Sequence, residues 1–363
     1  MNDIADVLRY EGAEKTLEVH FQAADRKIGT LRELPQQIWD DILDYARCQI
    51  LSKTSGTSLD AYVLSESSLF IYDWKICLKT CGKTTLLKCL HPLFQVVEKN
   101  LGARADWFRY SRKNFCFPSD QIFPHNSFDE EVQFCLETCP LFLGTAHVFG
   151  DILSDHFNVF YAQRVENFKH PKLLLNPHKL SYFDKKLSNH NQETLINIMM
   201  YDMDRKVAEH FYLQQSETAE DAVTRATDES GISALLQSFN QVVLDPYMFS
   251  PCGYSLNAIL QDDYYATIHI TPEDNFSYAS FETNFPVSSY QVLLQKVLNV
   301  FEPNKCIVTI FSDNLQAKEE LRCFEKKPCF TRITYSSARI SNVFFAEMST
   351  FKRRDSDPTV SIS

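Results

Sequence analysis

The stretch Tyr264 to Thr271 reads Tyr-Tyr-Ala-Thr-Ile-His-Ile-Thr, and its alternation constrains the fold more than any other feature of the chain. Ala266, Ile268 and Ile270 point one way; Tyr265, Thr267, His269 and Thr271 point the other, as in a strand with one apolar and one polar face. Residues 276–283, 306–311 and 342–348 also read as strands. Helical spacing appears over 36–52 (Ile38, Ile42, Leu43, Ala46, Ile50), over 84–99, and over 288–301 (Tyr290, Leu293, Leu294, Val297, Leu298, Phe301). Strands outnumber helices and the connections are short, which predicts an antiparallel, layered α+β architecture rather than a Rossmann-type sheet. Two polar stretches, 165–193 and 215–231, read as exposed insertions, and the polar end of the chain, 351–363, reads as a disordered tail. No internal sequence repeat is evident.

Composition narrows the function. Nine glycines in 363 residues argue against Gly-rich nucleotide loops, and a net charge of -11 argues against a nucleic-acid surface. No run approaches the roughly 18 apolar residues of a membrane span, and no apolar N-terminal signal is visible. Eleven cysteines, an odd number without paired CxxC spacing or a His-x3-His partner, read as reduced intracellular thiols with no metal site, which predicts a cytoplasmic protein.

Several short segments carry candidate chemistry, and each has a plain alternative. "CGKTT" at 81–85 resembles the end of a phosphate-binding loop, but that pattern needs a glycine where Cys77 stands. Cys81, before a glycine and after a strand-like run, is either a buried structural thiol or an active one. His269 shares a polar strand face with Thr267 and Thr271, with Glu273 four residues on; this suits a general base and a polar ligand contact, or a structural histidine. "FSPCGYSLN" at 249–257 is either a tight turn or the seat of an active Ser255, although it is not GxSxG. "YEGAEKTLE" at 10–18 sets Glu11, Glu14 and Glu18 three and four apart beside Tyr10. "LSESSLF" at 64–70 places Glu66 before two serines inside a strand-like run, which is either a solvated bend or a backbone that reacts.

Taken in order, "YEGAEKTLEV", "AYVLSESSLF", "LKTCGKTTLL", "YSRKNF", "FSPCGYSLN", "TIHITPE" and "FSYASFETN" resemble one family, the eukaryotic S-adenosylmethionine decarboxylase proenzymes, across residues 10–284. The resemblance implies one domain over 1–350 with a four-layer α/β/β/α sandwich of two mainly antiparallel sheets flanked by helices. It implies self-cleavage at Glu66-Ser67 into residues 1–66, the β chain, and 67–363, the α chain. Ser67 would become a pyruvoyl group, the only cofactor, which forms a Schiff base with the substrate amine and acts as an electron sink. It casts His269 and Ser255 in processing and Cys81 as the proton donor. Glu11 and Glu14 become active-site acids; Tyr10, Phe249, Glu273 and the backbone at Leu64 become substrate contacts. Aromatic faces suit both a sulfonium and an adenine. The product would be the aminopropyl donor for spermidine and spermine synthesis.

The resemblance also implies an effector pocket at Glu18, Lys79, Ser111, Glu282 and Phe311, where animal members bind putrescine. Arg109 stands where those members are usually aromatic, and the counterpart of a further acid falls at Asn191 or Gln192. Arg109 is therefore expected to supply positive charge in cis and leave putrescine with little effect. Expected partners are S-adenosylmethionine, the two cleaved chains, and a homodimer, since animal relatives dimerise while plant relatives can be monomers. Two rival readings remain: an inactive paralogue that activates a partner decarboxylase, and a Cys81–His269 acyl-transfer enzyme. Retention of Ser67, Cys81, Ser255 and His269 argues against the first.

Overall fold

A computed structural model describes residues 11–22, 29–165, 194–273, 276–312, 329–340 and 344–354. The first half forms an antiparallel sheet of β1 (Lys15–Gln22), β2 (Ile50–Ser55), β3 (Leu59–Leu64), β4 (Ser67–Tyr72), β5 (Lys75–Thr80), β6 (Arg104–Lys113), β7 (Phe142–Gly150) and β8 (His156–Arg164), ordered 2-3-4-5-1-6-8-7. The second half repeats the pattern with β9 (Thr194–Met203), β10 (Val242–Met248), β11 (Tyr254–Leu260), β12 (Tyr264–Thr271), β13 (Tyr278–Thr283), β14 (Pro303–Ser312), β15 (Phe330–Arg339) and β16 (Phe345–Arg353), ordered 10-11-12-13-9-14-16-15. Adding eight to each label of the first order gives the second. The chain thus contains a repeat of topology that its sequence does not display.

Helices cover both outer faces. The first sheet packs its apolar side chains (Leu17, Val19, Leu69, Leu78, Phe108) against α1 (Gln36–Ala46), α2 (Leu90–Leu101) and α3 (Phe128–Thr138). The second packs Ile198, Leu256, Ile268 and Phe281 against α4 (Arg205–Glu209), α5 (Ala219–Glu229), α6 (Ile232–Gln237) and α7 (Tyr290–Phe301). The sheets' other faces meet through smaller mixed clusters, Phe149, Met199, Ile307 and Met348 in one and Phe70, Ile259 and Tyr265 in the other. This is the expected α/β/β/α sandwich. Because strand residues alternate, each residue between two apolar, helix-facing positions looks into the space between the sheets. There the chain places Glu18, Cys77, Lys79, Arg109, Ser255, Asn257, Thr267, His269, Ser280 and Glu282, all buried.

The β12 pattern runs as its sequence predicts, with Ala266, Ile268 and Ile270 on the helix side. Several boundaries differ; the second helix, read from 84, begins at Leu90 after a 3-10 turn over Leu86–Cys89. The first helix stops at Ala46, where Arg47 takes a left-handed φ of 63° and lets residues 50–52 enter β2. The supposed insertion at 215–231 contains α5, a structural helix: Thr218 caps it by accepting from the Asp221 amide, and Ala222, Ala226 and Thr227 are buried. Its small buried residues carry little hydrophobicity, so the polar majority dominated the reading. β16 runs to Arg353 with Phe351 buried, past the expected start of the tail at 351. The other stretch, 165–193, lies outside the described residues from 166 onward, as do 355–363.

Candidate active site

Residues 64–70 form a hairpin, not a single strand. β3 ends at Leu64, which pairs with Ser67 at the start of β4, leaving Ser65 and Glu66 as a two-residue turn. Such turns ask for positive φ at the loop residues, usually Gly or Asn. Here the positive φ falls instead on Ser67, at 131°, in a region that only glycine occupies without strain. The position has a consequence for side-chain direction. By alternation Ser67 belongs with Leu69 on the helix side, but the distorted backbone turns its hydroxyl inward. Ser67 and Ser68 therefore both reach the same ring nitrogen, His269 Nε2, at 3.0 and 3.2 Å.

Strand register supplies the partners. Ser255, His269 and Ser280 lie side by side across β11, β12 and β13, and one register step away stand Asn257, Thr267 and Glu282. Ser255 Oγ is 2.9 Å from His269 Nδ1, and Thr267 Oγ1 is 2.9 Å from Nε2. Ser68 Oγ donates to Asn257 Oδ1 at 2.7 Å. Burial pulls His269 down to about 4, with the nearby Glu14 carboxylate opposing and Lys79 reinforcing, so the imidazole is neutral at physiological pH. A neutral imidazole facing a serine hydroxyl on a strained backbone is equipped to accept a proton.

The Glu66 carbonyl is held from the other side. Cys81 follows β5 and donates its backbone N–H to Glu66 O at 3.0 Å; its Sγ lies 3.3 Å from the same oxygen. Gly82, with φ of 60°, turns the chain there and donates to Glu11 O. Behind this turn the buried Lys15 ammonium donates to Gly82 O at 2.8 Å, and burial lowers Lys15 to about 8. Ser67, Cys81, Ser255, His269, Phe249 and Glu273 line one cleft of about 230 Å³ between the sheets. Cys252 and Gly253, from the turn before β11, complete the wall on that side.

The remaining expected site residues divide. Leu64 is buried beside Ser67 in the hairpin. Glu14 is buried and accepts from Ser280 Oγ at 2.6 Å and Tyr278 OH at 2.9 Å. Burial raises Glu14, but Lys79, His269 and these two hydrogen bonds outweigh it and leave the carboxyl below its ordinary value. Glu11 turns its carboxylate to the amides of Cys116 and Phe117, and burial raises its carboxyl. Tyr10 lies outside the described residues.

A second cavity lies between the sheets, and Glu18, Arg109 and Phe311 are on its wall. Arg109 Nη2 donates to Glu18 Oε2 at 2.5 Å, and its guanidinium sits 4.1 Å from the Phe311 ring centre. Despite burial, Arg109 and His20 hold Glu18 far below the ordinary carboxylate range. Lys79 and Glu282 form a buried pair at 2.7 Å, set behind this cavity by Tyr265, whose hydroxyl donates to Glu282 Oε1. Ser111 is buried on β6 but does not line the cavity. Asn197 donates to Glu282 Oε2 at 3.0 Å; Asn191 and Gln192 lie outside the described residues. Sequence reasoning also missed Ser68, Asn257 and Tyr265. For Asn257, alternation with Leu256 and Ala258 was the available signal.

The chain also matches known proteins. The adenosylmethionine decarboxylase family model matches residues 8–351. A Xenopus laevis S-adenosylmethionine decarboxylase proenzyme is 38% identical over 93% of this chain and 93% of its own length. A Dictyostelium discoideum proenzyme of the same name is 37% identical over 86% of this chain and 76% of its own length. The crystal structure of a Trypanosoma brucei AdoMetDC-delta26 monomer superposes with a TM-score of 0.58 at 25% identity, covering 79% of this chain and 99% of that one.

Proposed function

This chain belongs to the adenosylmethionine decarboxylase family, and from that premise we propose that it is a self-processing S-adenosylmethionine decarboxylase whose pyruvoyl group arises from Ser67. The observation that carries the reading is the Glu66-Ser67 bond itself. Its serine is held at a φ of 131°, and its hydroxyl and carbonyl are both gripped by named partners.

The processing steps follow from those contacts. Ser67 Oγ attacks the Glu66 carbonyl carbon, and the amide becomes an ester with a free Ser67 amine. The oxygen that gains charge in this step is the one facing the Cys81 N–H, a donor already in place. His269, neutral and tied to Ser255 through Nδ1, takes the Ser67 α-proton, and the Glu66 carboxylate leaves with the C–O electron pair. Water then replaces the nitrogen of the dehydroalanine, ammonia departs, and a pyruvoyl group caps residue 67. The strain at Ser67 favours these steps because it is relieved when the peptide bond is lost.

The residues around Ser67 suit a pyruvoyl group: the position opens onto the cleft, and polar neighbours surround it. Bound there, the group supplies the electron sink that decarboxylation requires. Cys81 Sγ holds the proton returned to the substrate α-carbon. Phe249 offers a ring face to the adenine or sulfonium, and Glu273 accepts from ribose hydroxyls at the mouth of the same cleft. The decarboxylated product serves polyamine synthesis as an aminopropyl donor. Arg109 takes the effector's part, since both Glu18 oxygens are already engaged, by Arg109 and by His20. Putrescine therefore stimulates weakly or not at all; a several-fold rise in activity on its addition would overturn this part of the reading.

The deciding experiment is the intact mass of purified wild type beside Ser67→Ala. Wild type splits at Glu66-Ser67 with the larger chain carrying a pyruvoyl end, and the variant stays whole. A single uncut wild-type chain would instead favour an inactive partner-activating paralogue.

A further inference from the structure

Three hydroxyls crowd one ring nitrogen. His269 Nε2 lies 3.0 Å from Ser67 Oγ, 3.2 Å from Ser68 Oγ and 2.9 Å from Thr267 Oγ1. Each hydroxyl has one proton to donate, and a ring nitrogen that carries no proton has one lone pair to offer. Distance alone does not reserve that lone pair for Ser67. The bonds around Ser68 do. Ser68 Oγ donates to Asn257 Oδ1 at 2.7 Å, which takes up its only proton. Thr267 Oγ1 lies 3.2 Å from Ser68 Oγ and can donate to it in turn. A chain from Thr267 through Ser68 to Asn257 thus leads two protons away from Nε2. Asn257 ends the chain from the opposite sheet: it stands on β11, paired with Thr267 of β12, while Ser68 belongs to β4. It is fully buried, and its Nδ2 has no acceptor among the described residues. An unmet buried donor costs stability, so an apolar side chain would suit this position better if packing were its only task.

We infer that Asn257 is a positioning residue for self-cleavage: by holding the Ser68 proton it keeps His269 Nε2 open to Ser67. This role presupposes the proposed self-processing. It also sets the tautomer of the ring, with the proton on Nδ1 and donated to Ser255 Oγ at 2.9 Å. Nε2 then has its lone pair free to take a proton from Ser67.

Rescue by further substitution tests it. The full chain is made by cell-free translation, and the uncut fraction is followed with time by intact mass. Asn257→Leu lets the freed hydroxyl protons turn to Nε2, and cleavage should slow by about three- to ten-fold, the occupancy expected of one such hydrogen bond. Adding Ser68→Ala and Thr267→Val removes the competing protons, and the triple variant should cleave several-fold faster than Asn257→Leu alone. An Asn257 that only supports packing predicts no recovery, because each added substitution would then be a further loss. Asn257→Leu cleaving at the wild-type rate, or a triple variant no faster than the single one, overturns the inference. A second measurement leaves Asn257 in place. In the uncut Ser67→Ala chain, nitrogen NMR of labelled histidine should find the His269 proton on Nδ1, and a proton on Nε2 overturns the inference as well. The outcomes separate from the broader reading. A wild-type chain that never cuts breaks the self-processing reading and this role together, whereas a wild type that cuts beside variants that show no recovery breaks this role alone.

Discussion

The cleft at Ser67 and the cavity at Arg109 open on the same polar interior between the sheets, yet they treat their polar groups in opposite ways. Around Ser67 the backbone is strained, and one neutral ring faces four hydroxyls, those of Ser67, Ser68, Thr267 and Ser255. Around Arg109 the carboxylates are committed to Arg109, His20 and Lys79. The first region stores strain and keeps its protons movable; the second fixes charge. The proposed self-cleavage calls for the former at the bond and the latter beside it as a rigid element.

Removing that rigid element has the largest effect on stability. Lys79→Met leaves Glu282 buried without its cation and should cost about 3–5 kcal/mol, read by urea unfolding of an uncleavable Ser67→Ala background. A loss below 1 kcal/mol would show that the cavity's charges are not the rigid element.

Acidification probes both regions at once. Burial lowers His269 to about 4 in the folded chain, and does the same to His125, which bonds Tyr110 and Glu131 outside both regions; unfolded histidine titrates near 6.5. Stability is therefore fully present above pH 6.5 and falls as pH drops to 4, by roughly 2–4 kcal/mol per histidine. Glu14 and Glu18, held below their ordinary values, continue the loss at lower pH. His269→Gln should halve the fall between pH 6.5 and 4, and an unchanged profile would place the titration elsewhere.

The smallest effect isolates the strain. Ser67→Gly and Ser67→Ala both lose the hydroxyl, but only glycine accepts a φ of 131° at no cost. The glycine variant should be more stable than the alanine variant by about 1–3 kcal/mol. Equal stabilities would mean that the bond is not strained before it reacts.

Local periodicity was legible in the sequence. Alternation in β12 sorted Thr267 and His269 from Ala266, Ile268 and Ile270, and helical spacing located α2 and α7, because these patterns depend on neighbours a few residues apart. Ordered motifs pointed to Ser67, Cys81, Ser255 and His269, which line one cleft. That Ser67, rather than the turn residues, bears the positive φ emerges from the fold, because it depends on the register of β3 against β4. So do the duplicated strand order, the helix at 219–229, and the pairing of Glu18 with Arg109 across 91 positions of sequence. Charge pairing and strand register are set by distance in space, and no local pattern of residue types encodes which strand will lie beside which.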